Sequence, residues 1–249
     1  MKRLLIALAG LTLSVAAFAN EGAELPFSFK PDTTNLPSVQ RGARDYMAYC
    51  SGCHSMKHLR YSRIAQDLGL PEDLVKKNLM FTTDKIGEHI ISSMPAEQSA
   101  AWFGRTPPDL TVETRARGAD WVYSYLNSFY IDESRPVGVN NLVLPGASMP
   151  HVLWELQGWQ VKPEAKAEGE HAEAAHGEEH GSGLELAQPG KLSPDEYKKF
   201  TADLTNFMVY AAEPGRNARV ALGPKVILYL LLLTWLFYAL KKEFWKDIH

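Results

Sequence analysis

The chain has 249 residues, a formal net charge of -3 and 45% hydrophobic residues. This length accommodates one substantial domain or two small ones. The net charge is too small to indicate binding to nucleic acid, so no nucleic acid is expected, and any electrostatic contact must come from local patches.

The N-terminus has the pattern of a secretory signal peptide over residues 1–19. A short basic start precedes an apolar run over residues 4–15, and small residues follow at Ala17 and Ala19, where signal peptidase reads them. The alternative is an uncleaved anchor, but the run is shorter than the ~20 residues that a spanning helix needs. We therefore expect a mature domain over residues 20–219, outside the cytoplasm.

A helix is predicted immediately before the first cysteine. Ser38 is a suitable N-cap, and apolar residues then recur at helical spacing up to Cys50. Gly42 falls in the middle of this helix, where glycine costs roughly 1 kcal/mol against alanine. We expect Gly42 to permit the close approach of another helix, the alternative being that it is merely tolerated.

Cys50, Cys53 and His54 form a C-x-x-C-H unit, the attachment signature of a c-type haem. Two thiols at this spacing on a turn reach the two vinyl groups of one porphyrin, and the next imidazole reaches its iron. A redox dithiol would need a thioredoxin-like setting, and a zinc site would need a second cysteine pair. The sequence therefore predicts one covalent haem c with His54 as iron ligand, and no disulfide.

A haem that carries electrons without binding small molecules needs a sixth ligand, and a His/Met pair raises the potential. Two of the methionines lie too close to the attachment site to reach the opposite face of the haem. Met80 and Met208 lie in segments where a methionine is expected to pack in the core. Met94 and Met149 remain, and each is followed by a proline that stiffens the chain. Small c-type cytochrome domains carry this ligand late in the chain, past a loop, and this favours Met149, with Met94 as the alternative.

Residues 162–190 are rich in Glu, Ala, Gly and His and contain few bulky apolar residues. Such a segment cannot bury enough surface to offset the entropy lost on ordering, so a flexible insertion is predicted. His171, His176 and His180 are candidates for metal binding. Their irregular spacing argues against a metal site. The glutamates could form an acidic patch that attracts a basic redox partner, but a solubilising loop is the favoured interpretation.

The next helix has a strong start signal. Ser193 is the predicted N-cap, Pro194 the first helical residue, and Glu196 completes a capping box. The helix should run to about Ala212 and end before Pro214, because a proline cannot continue it.

The C-terminal segment 220–241 is the predicted transmembrane anchor, so membrane lipid is an expected partner. Residues 226–240 carry no charge and no polar stripe, unlike a core helix. Lys241, Lys242 and a further lysine follow at once, which fits the positive-inside rule with a cytoplasmic tail over 242–249.

Several short motifs occur in a fixed order along the mature chain. They are C-S-G-C-H at Cys50–His54, T-P-P-D-L at Thr106–Leu110, R-A-R-G-A-D-W at Arg115–Trp121, S-M-P-H-V-L-W-E-L at Ser148–Leu156, N-F-M-V-Y-A-A-E-P at Asn206–Pro214, and the anchor. Each is weak alone, apart from the haem motif. Together, over essentially the whole mature chain, they resemble the cytochrome c1 family, the haem c subunits of bacterial cytochrome bc1 complexes.

The resemblance implies roles for individual residues. The family's sixth ligand is a methionine in a late Met-Pro segment, which matches Met149 and demotes Met94. Its Pro-Pro-Asp-Leu segment packs beside the haem, which matches Pro108 and its neighbours. An arginine shortly afterwards pairs with a haem propionate, and Arg117 is the better match, with Arg115 as the alternative. A buried propionate needs such a charged, preferably bidentate, partner.

Three departures from the family pattern stand out. Trp121 replaces a tyrosine found in some members after the arginine motif. His151 follows the Met149-Pro150 pair and raises the question of a rival iron ligand. We expect His151 to point away, because adjacent residues of one segment cannot both face the iron. A disulfide found in some relatives is missing, since both cysteines belong to the haem motif.

The implied fold is mainly α: a class I-like cytochrome c domain with long loops plus one C-terminal transmembrane helix, in which the last helix of the domain crosses the first. The implied function is electron transfer. The Rieske iron-sulfur protein would deliver electrons to the haem, a soluble cytochrome c would remove them, and cytochrome b would be the membrane partner. The chain would be a non-catalytic redox subunit, dimeric through its complex, in the inner membrane with its haem domain in the periplasm.

Two other functions are compatible with a single haem motif. One is a different membrane-anchored monohaem cytochrome that feeds an oxidase, and the order of the motifs argues against it. The other is a haem enzyme or gas sensor with an open iron site, which a sixth protein ligand argues against.

Overall fold

The computed structural model describes residues 25–163 and 182–246. The helices in this part of the chain are α1 Leu36–Tyr49, α2 Tyr61–Asp67, α3 Glu72–Leu79, α4 Ala96–Phe103, α5 Glu113–Arg117, α6 Ala119–Asn127, α7 Trp154–Gln157, α8 Pro194–Ala212 and α9 Arg216–Phe244. The strands are β1 Met56–Arg60, β2 His89–Ile90, β3 Phe129–Ile131, β4 Val139–Asn141, β5 Gly158–Val161 and β6 Glu185–Pro189. The strands pair antiparallel in twos, β1 with β2, β3 with β4 and β5 with β6. The prediction of a mainly α fold is confirmed, and the predicted signal peptide lies outside the described residues.

Helices α1 and α8 cross at the centre of the domain. Gly42 is the point of closest approach, because a Cβ there would overlap the carbonyl oxygen of Asp203 and lie 2.7 Å from the Cβ of Phe207. The ring of Tyr46, one turn further along α1, lies 5.6 Å from that of Phe207, and both rings are fully buried. The expectation that Gly42 admits a second helix is confirmed.

The start of α1 differs from the prediction. Its N-cap is Asn35, whose side chain accepts a hydrogen bond from the backbone N–H of Ser38. The hydroxyl of Ser38 is buried and donates to Asp203 on α8, and Arg41 also pairs with Asp203 at 2.6 Å. Ser38 as N-cap is therefore wrong, because its hydroxyl serves a polar link between the two helices.

The start of α8 is as predicted. The hydroxyl of Ser193 accepts from the N–H of Glu196 at 3.4 Å, and the carboxylate of Glu196 accepts from the N–H of Ser193 at 2.9 Å. These two bonds satisfy N–H groups that have no partner inside the helix.

Replacing Ser193 with alanine should lower the free energy of unfolding by about 1 kcal/mol, because an N-terminal N–H of α8 loses its acceptor. Denaturant unfolding of the purified full chain in detergent measures this loss. Threonine at the same position keeps the acceptor, so Ser193→Thr should unfold close to the unaltered protein. Equal destabilisation by alanine and threonine would contradict a capping role.

The predicted insertion 162–190 contains ordered structure at its C-terminal end. Strands β5 and β6, which we call the stem, pair with Gly158 opposite Pro189 and Val161 opposite Glu185. An unstructured insertion is therefore wrong for Glu185–Pro189, because backbone pairing with β5 orders a strand whose side chains are all exposed. Residues 164–181, with the three candidate metal-binding histidines, lie outside the described residues.

Helix α9 is long and apolar enough to cross a membrane. It has 29 residues, a mean hydropathy of 2.0 over its most apolar window, and no part of that window is buried. At 1.5 Å per residue it spans about 44 Å, more than the hydrocarbon core of a bilayer. Its first turn is fixed to the domain, because the side chains of Thr33 and Asn217 are bonded at 2.8 Å and Asn217 also donates to the carbonyl of Thr33 at 2.9 Å.

Candidate haem site

The C-x-x-C-H motif forms a tight turn at the end of α1. The N–H groups of Cys53 and His54 both donate to the carbonyl of Cys50, at 3.1 and 2.9 Å. The hydroxyl of Tyr46 donates to the carbonyl of His54 at 2.8 Å and so fixes the far side of the turn. This turn brings two thiols and an imidazole to the wall of one cavity.

The imidazole of His54 is oriented as a metal ligand. Its Nδ1 lies 2.8 Å from the carbonyl oxygen of Pro108. Because a carbonyl oxygen only accepts, Nδ1 carries the hydrogen, and Nε2 keeps its lone pair. Burial also lowers the pKa of His54 below its ordinary value, which favours the neutral ring.

The segment around Pro108 is held by hydrogen bonds to the chain that follows the haem motif. The N–H of Leu110 donates to the carbonyl of Ser55 at 2.9 Å. The carboxylate of Asp109 accepts from the N–H of Lys57 at 2.7 Å. The carbonyl of Pro108, which orients His54, is therefore held in place by the bonds of the next two residues in the chain.

The turn opens on a cavity of ≈ 1210 Å³, its open mouth included. The predicted site residues that line it are Cys50, Cys53, His54, Pro108, Arg117 and Met149. Most of the other lining side chains are apolar. An apolar cavity with a few placed polar groups is the usual form of a cofactor site.

The structure separates the candidate methionines and arginines into those that line the cavity and those that do not. Met94 does not line the cavity, whereas Met149 does, and so does Met208 on α8. Sequence reasoning assigned Met208 to packing, and it is indeed buried in the core as well. Arg115 is exposed and does not line the cavity. Its charge acts on Glu213 instead, whose pKa is lowered by the ion pair with Arg219 and, to a smaller degree, by Arg115.

Arg117 lies on the cavity wall in a stack of aromatic rings. Its guanidinium lies 4.3 Å from the centre of the Trp121 ring, and that ring stacks on Tyr125 at 5.2 Å. Its Nε pairs with the carboxylate of Glu113. Arg105 also lines the cavity, and sequence reasoning missed it. The available signal was its position directly before the T-P-P-D-L motif.

Residues 147–152, which we call the strap, form another wall. Met149 and Val152 line the cavity, but His151 does not. The ring of His151 stacks on Phe129 with 4.9 Å between ring centres and 7° between planes. Burial lowers the pKa of His151 to about 4. The expectation that His151 points away from the iron agrees with this placement.

The residues of this cavity fit a covalently attached haem. Burial raises the pKa of the Cys50 thiol to about 12, the opposite of the lowered value typical of redox dithiols. Among residues 25–163 and 182–246 no group of three His, Cys, Asp or Glu side chains is placed to hold a metal ion. Two thiols, an imidazole with a free Nε2 and apolar walls are what a c-type haem requires.

Comparison with known proteins decides the family. Residues 26–158 and 190–248 match the model of the Cytochrome C1 family. The chain belongs to the cytochrome c1 family. It is 45% identical over 249 residues to cytochrome c1 of Allochromatium vinosum, over the full length of both chains.

Two further relatives carry other names. The chain is 40% identical over 243 residues to a protein of Nitrosomonas europaea named ammonia monooxygenase gamma subunit, covering 96% of this chain and 97% of that one. It is 26% identical over 270 residues to a protein of Bradyrhizobium diazoefficiens named cytochrome b/c1, covering 94% of this chain and 37% of that one.

Membership of the cytochrome c1 family establishes the cofactor and the broad function. The chain carries one covalently bound haem c and acts in electron transfer as the haem subunit of a cytochrome bc1 complex. It is anchored to the membrane, for which α9 is the candidate span.

Proposed function

We propose that this chain passes electrons from a Rieske iron-sulfur protein to a soluble cytochrome c, in a complex with cytochrome b. The observation that carries the proposal is the match to the cytochrome c1 family over both halves of the domain, combined with a cavity that unites the haem motif and Met149. The relative named cytochrome b/c1 supports cytochrome b as partner.

The cofactor supplies one-electron chemistry at its iron, and the chain holds it in place and sets its potential. Cys50 and Cys53 fix the porphyrin through thioether bonds. His54 offers Nε2 to the iron, and its bond to Pro108 holds the ring in that orientation. The apolar lining limits access of water to the haem. Little solvent then has to rearrange when the haem gains or loses an electron.

We assign the sixth ligand to Met149. It lies on a wall of the cavity formed by a loop, and the following Pro150 restricts the backbone next to it. Met208 is the competing methionine on the cavity wall, but it belongs to α8, whose backbone is fixed against α1 by the contact at Gly42. A loop residue can adjust to the iron more freely than one on a helix held in this way.

We assign a haem propionate to Arg117. Its contacts with Trp121 and Glu113 hold the guanidinium at the cavity wall. A guanidinium carries five N–H donors, so an ion pair through Nε leaves donors for a second carboxylate. Arg115 is placed off the cavity, and Arg105 is the other arginine that lines it.

We infer the orientation in the membrane from two features of the sequence. The signal-peptide pattern exports the N-terminus, and Lys241, Lys242 and Lys246 favour a cytoplasmic C-terminus. The haem domain, over residues 20–219, is then periplasmic, and α9 is a single span of the inner membrane.

Purification in mild detergent through a C-terminal tag tests the assembly. We expect b-type haem and an iron-sulfur protein to co-elute with haem c, and quinol to reduce the haem c, as a reduced-minus-oxidised spectrum records. Recovery of haem c alone, under conditions that keep other membrane complexes whole, would contradict the proposed partners. A second candidate function is that of a haem c subunit of an ammonia-oxidising enzyme, which the 40% identity to the protein named ammonia monooxygenase gamma subunit suggests. Co-elution with such an enzyme would favour it.

A further inference from the structure

The strap has two faces with different surroundings. Met149, Pro150 and Val152 line the cavity, whereas His151 is on the other face and only 5% exposed. On that face the ring of His151 lies flat on Phe129 of β3. The backbone of the strap is therefore held between the cavity and a layer of aromatic rings.

The stem supplies the other side of this layer. Trp159 of β5 meets the ring of His151 edge to face, with 6.0 Å between ring centres and 78° between planes. Trp154 in turn stacks on Trp159 at 5.5 Å and 14°. His151 thus has one aromatic neighbour from β3 and another from the stem.

The stem also holds the β3 side of the layer. The side-chain amide of Gln160 donates to the carbonyl of Phe129 at 2.9 Å and to the carbonyl of Asn127 at 3.2 Å. The stem therefore fixes Phe129 by hydrogen bonds and contacts His151 directly.

The two strands of the stem approach each other closely at its base. Gly158 has a φ of +92°, and a Cβ on it would lie 2.6 Å from the backbone nitrogen of Gly190. No other residue fits this contact without moving the backbone. The match to the family model stops at residue 158 and resumes at residue 190, so all of the stem except Gly158 lies between the two matched segments. Trp159 of the stem nevertheless packs on His151 of the strap.

We propose that the stem holds the strap through His151, so that His151 and Trp159 are positioning residues for Met149. The role of the stem is to keep Met149 on the iron, and the aromatic layer transmits the restraint. The inference rests on the proposed assignment of Met149 as sixth ligand. It makes Trp159, which lies outside the two family-matched regions, part of what sets the haem potential in this chain.

Comparison of His151→Ala with His151→Phe in the tagged full-length protein tests the role of the ring. Alanine removes both aromatic contacts and the imidazole's hydrogen bond to the backbone of Gly158, whereas phenylalanine keeps a ring of similar shape but loses that hydrogen bond. We expect His151→Ala to weaken the methionine-to-iron charge-transfer absorption of the oxidised haem and to lower its midpoint potential. Carbon monoxide should bind the reduced form about tenfold more tightly, because ligand affinity scales with the fraction of open sites. The carbon monoxide affinity of reduced His151→Phe should stay within about threefold of that of the unaltered protein.

Trp159→Ala tests the stem independently of the strap, and Leu186→Ala is its control. Trp159 is partly exposed and does not line the cavity, so its loss removes no residue of the cavity wall. We expect Trp159→Ala to change the same three properties in the same direction. Leu186, an exposed residue of β6, should be replaceable without effect.

Covalent haem per polypeptide reports folding, since attachment depends on the cysteine motif. Unchanged absorption, potential and carbon monoxide affinity in both His151→Ala and Trp159→Ala overturns the inference. If His151→Ala fails to accumulate with haem, Trp159→Ala alone decides. An unaltered protein that lacks the methionine-to-iron absorption would instead refute Met149 as ligand, before any variant is compared.

Discussion

Replacing Met149 with leucine should leave haem c attached but remove its sixth ligand. Leucine has nearly the volume of methionine, so the strap should keep its packing at a cost below about 1.5 kcal/mol. Axial ligands set haem potentials over a range of about 0.8 V, and we expect the midpoint potential to fall by roughly 0.1 to 0.3 V. Redox titration in detergent, with the methionine-to-iron absorption recorded alongside, measures both effects.

Met208→Leu is the matched control for this variant. Met208 also lines the cavity, is 4% exposed, and offers the same thioether to the same space. If Met149 is the ligand, Met208→Leu should keep the absorption and shift the potential by far less. Loss of the absorption in Met208→Leu, with retention in Met149→Leu, would reverse the assignment. Met94 does not line the cavity, so Met94→Leu should change neither the methionine-to-iron absorption nor the midpoint potential.

The attachment site was predictable because its chemistry lies within a few consecutive residues. The turn from Cys50 to His54 is closed by local hydrogen bonds, so the motif specifies its own geometry. The capping box at Ser193 is local in the same sense, as both partners lie within one turn. Gly42 was predictable for another reason, since a mid-helix glycine costs about 1 kcal/mol against alanine and a close helix contact is one reason for a glycine at such a position.

The rest of the site depends on contacts between distant segments. Ser38 was predicted as a cap because it is a serine at the start of a segment with helical periodicity. Its hydroxyl instead bonds to Asp203 on another helix, and no local pattern indicates that pairing. Periodicity also cannot tell which apolar face of α8 meets a cofactor, so Met208 was assigned to packing only. The stem was missed because every side chain of β6 is exposed and its order comes from pairing with β5.

Gly42→Ala should destabilise the domain more than any single surface change. The new Cβ would overlap the carbonyl oxygen of Asp203 and approach the Cβ of Phe207 to 2.7 Å. Neither atom can rotate away, so α1 and α8 must separate. Alanine is favoured over glycine in a helix by about 1 kcal/mol. Overpacking at a fixed contact typically costs about 1–3 kcal/mol and occasionally more. We expect a net loss of about 2 kcal/mol, because two polar links to Asp203 weaken as the helices part.

Denaturant unfolding of the full chain, followed by the haem absorption, measures this loss, and Gly87→Ala is the control. A Cβ on Gly87 meets no atom within 4 Å, so alanine there should change the stability by less than about 0.5 kcal/mol.

The contact between α1 and α8 at Gly42 also positions the attachment turn, since Cys50 directly follows α1 and Met208 belongs to α8. Separation of the two helices should therefore shift the cavity walls as well, and Gly42→Ala should bind carbon monoxide in the reduced form more readily than Gly87→Ala. Equal stability of the two variants would mean that the helices can part at no cost, and the crossing at Gly42 would not be what holds the haem domain together.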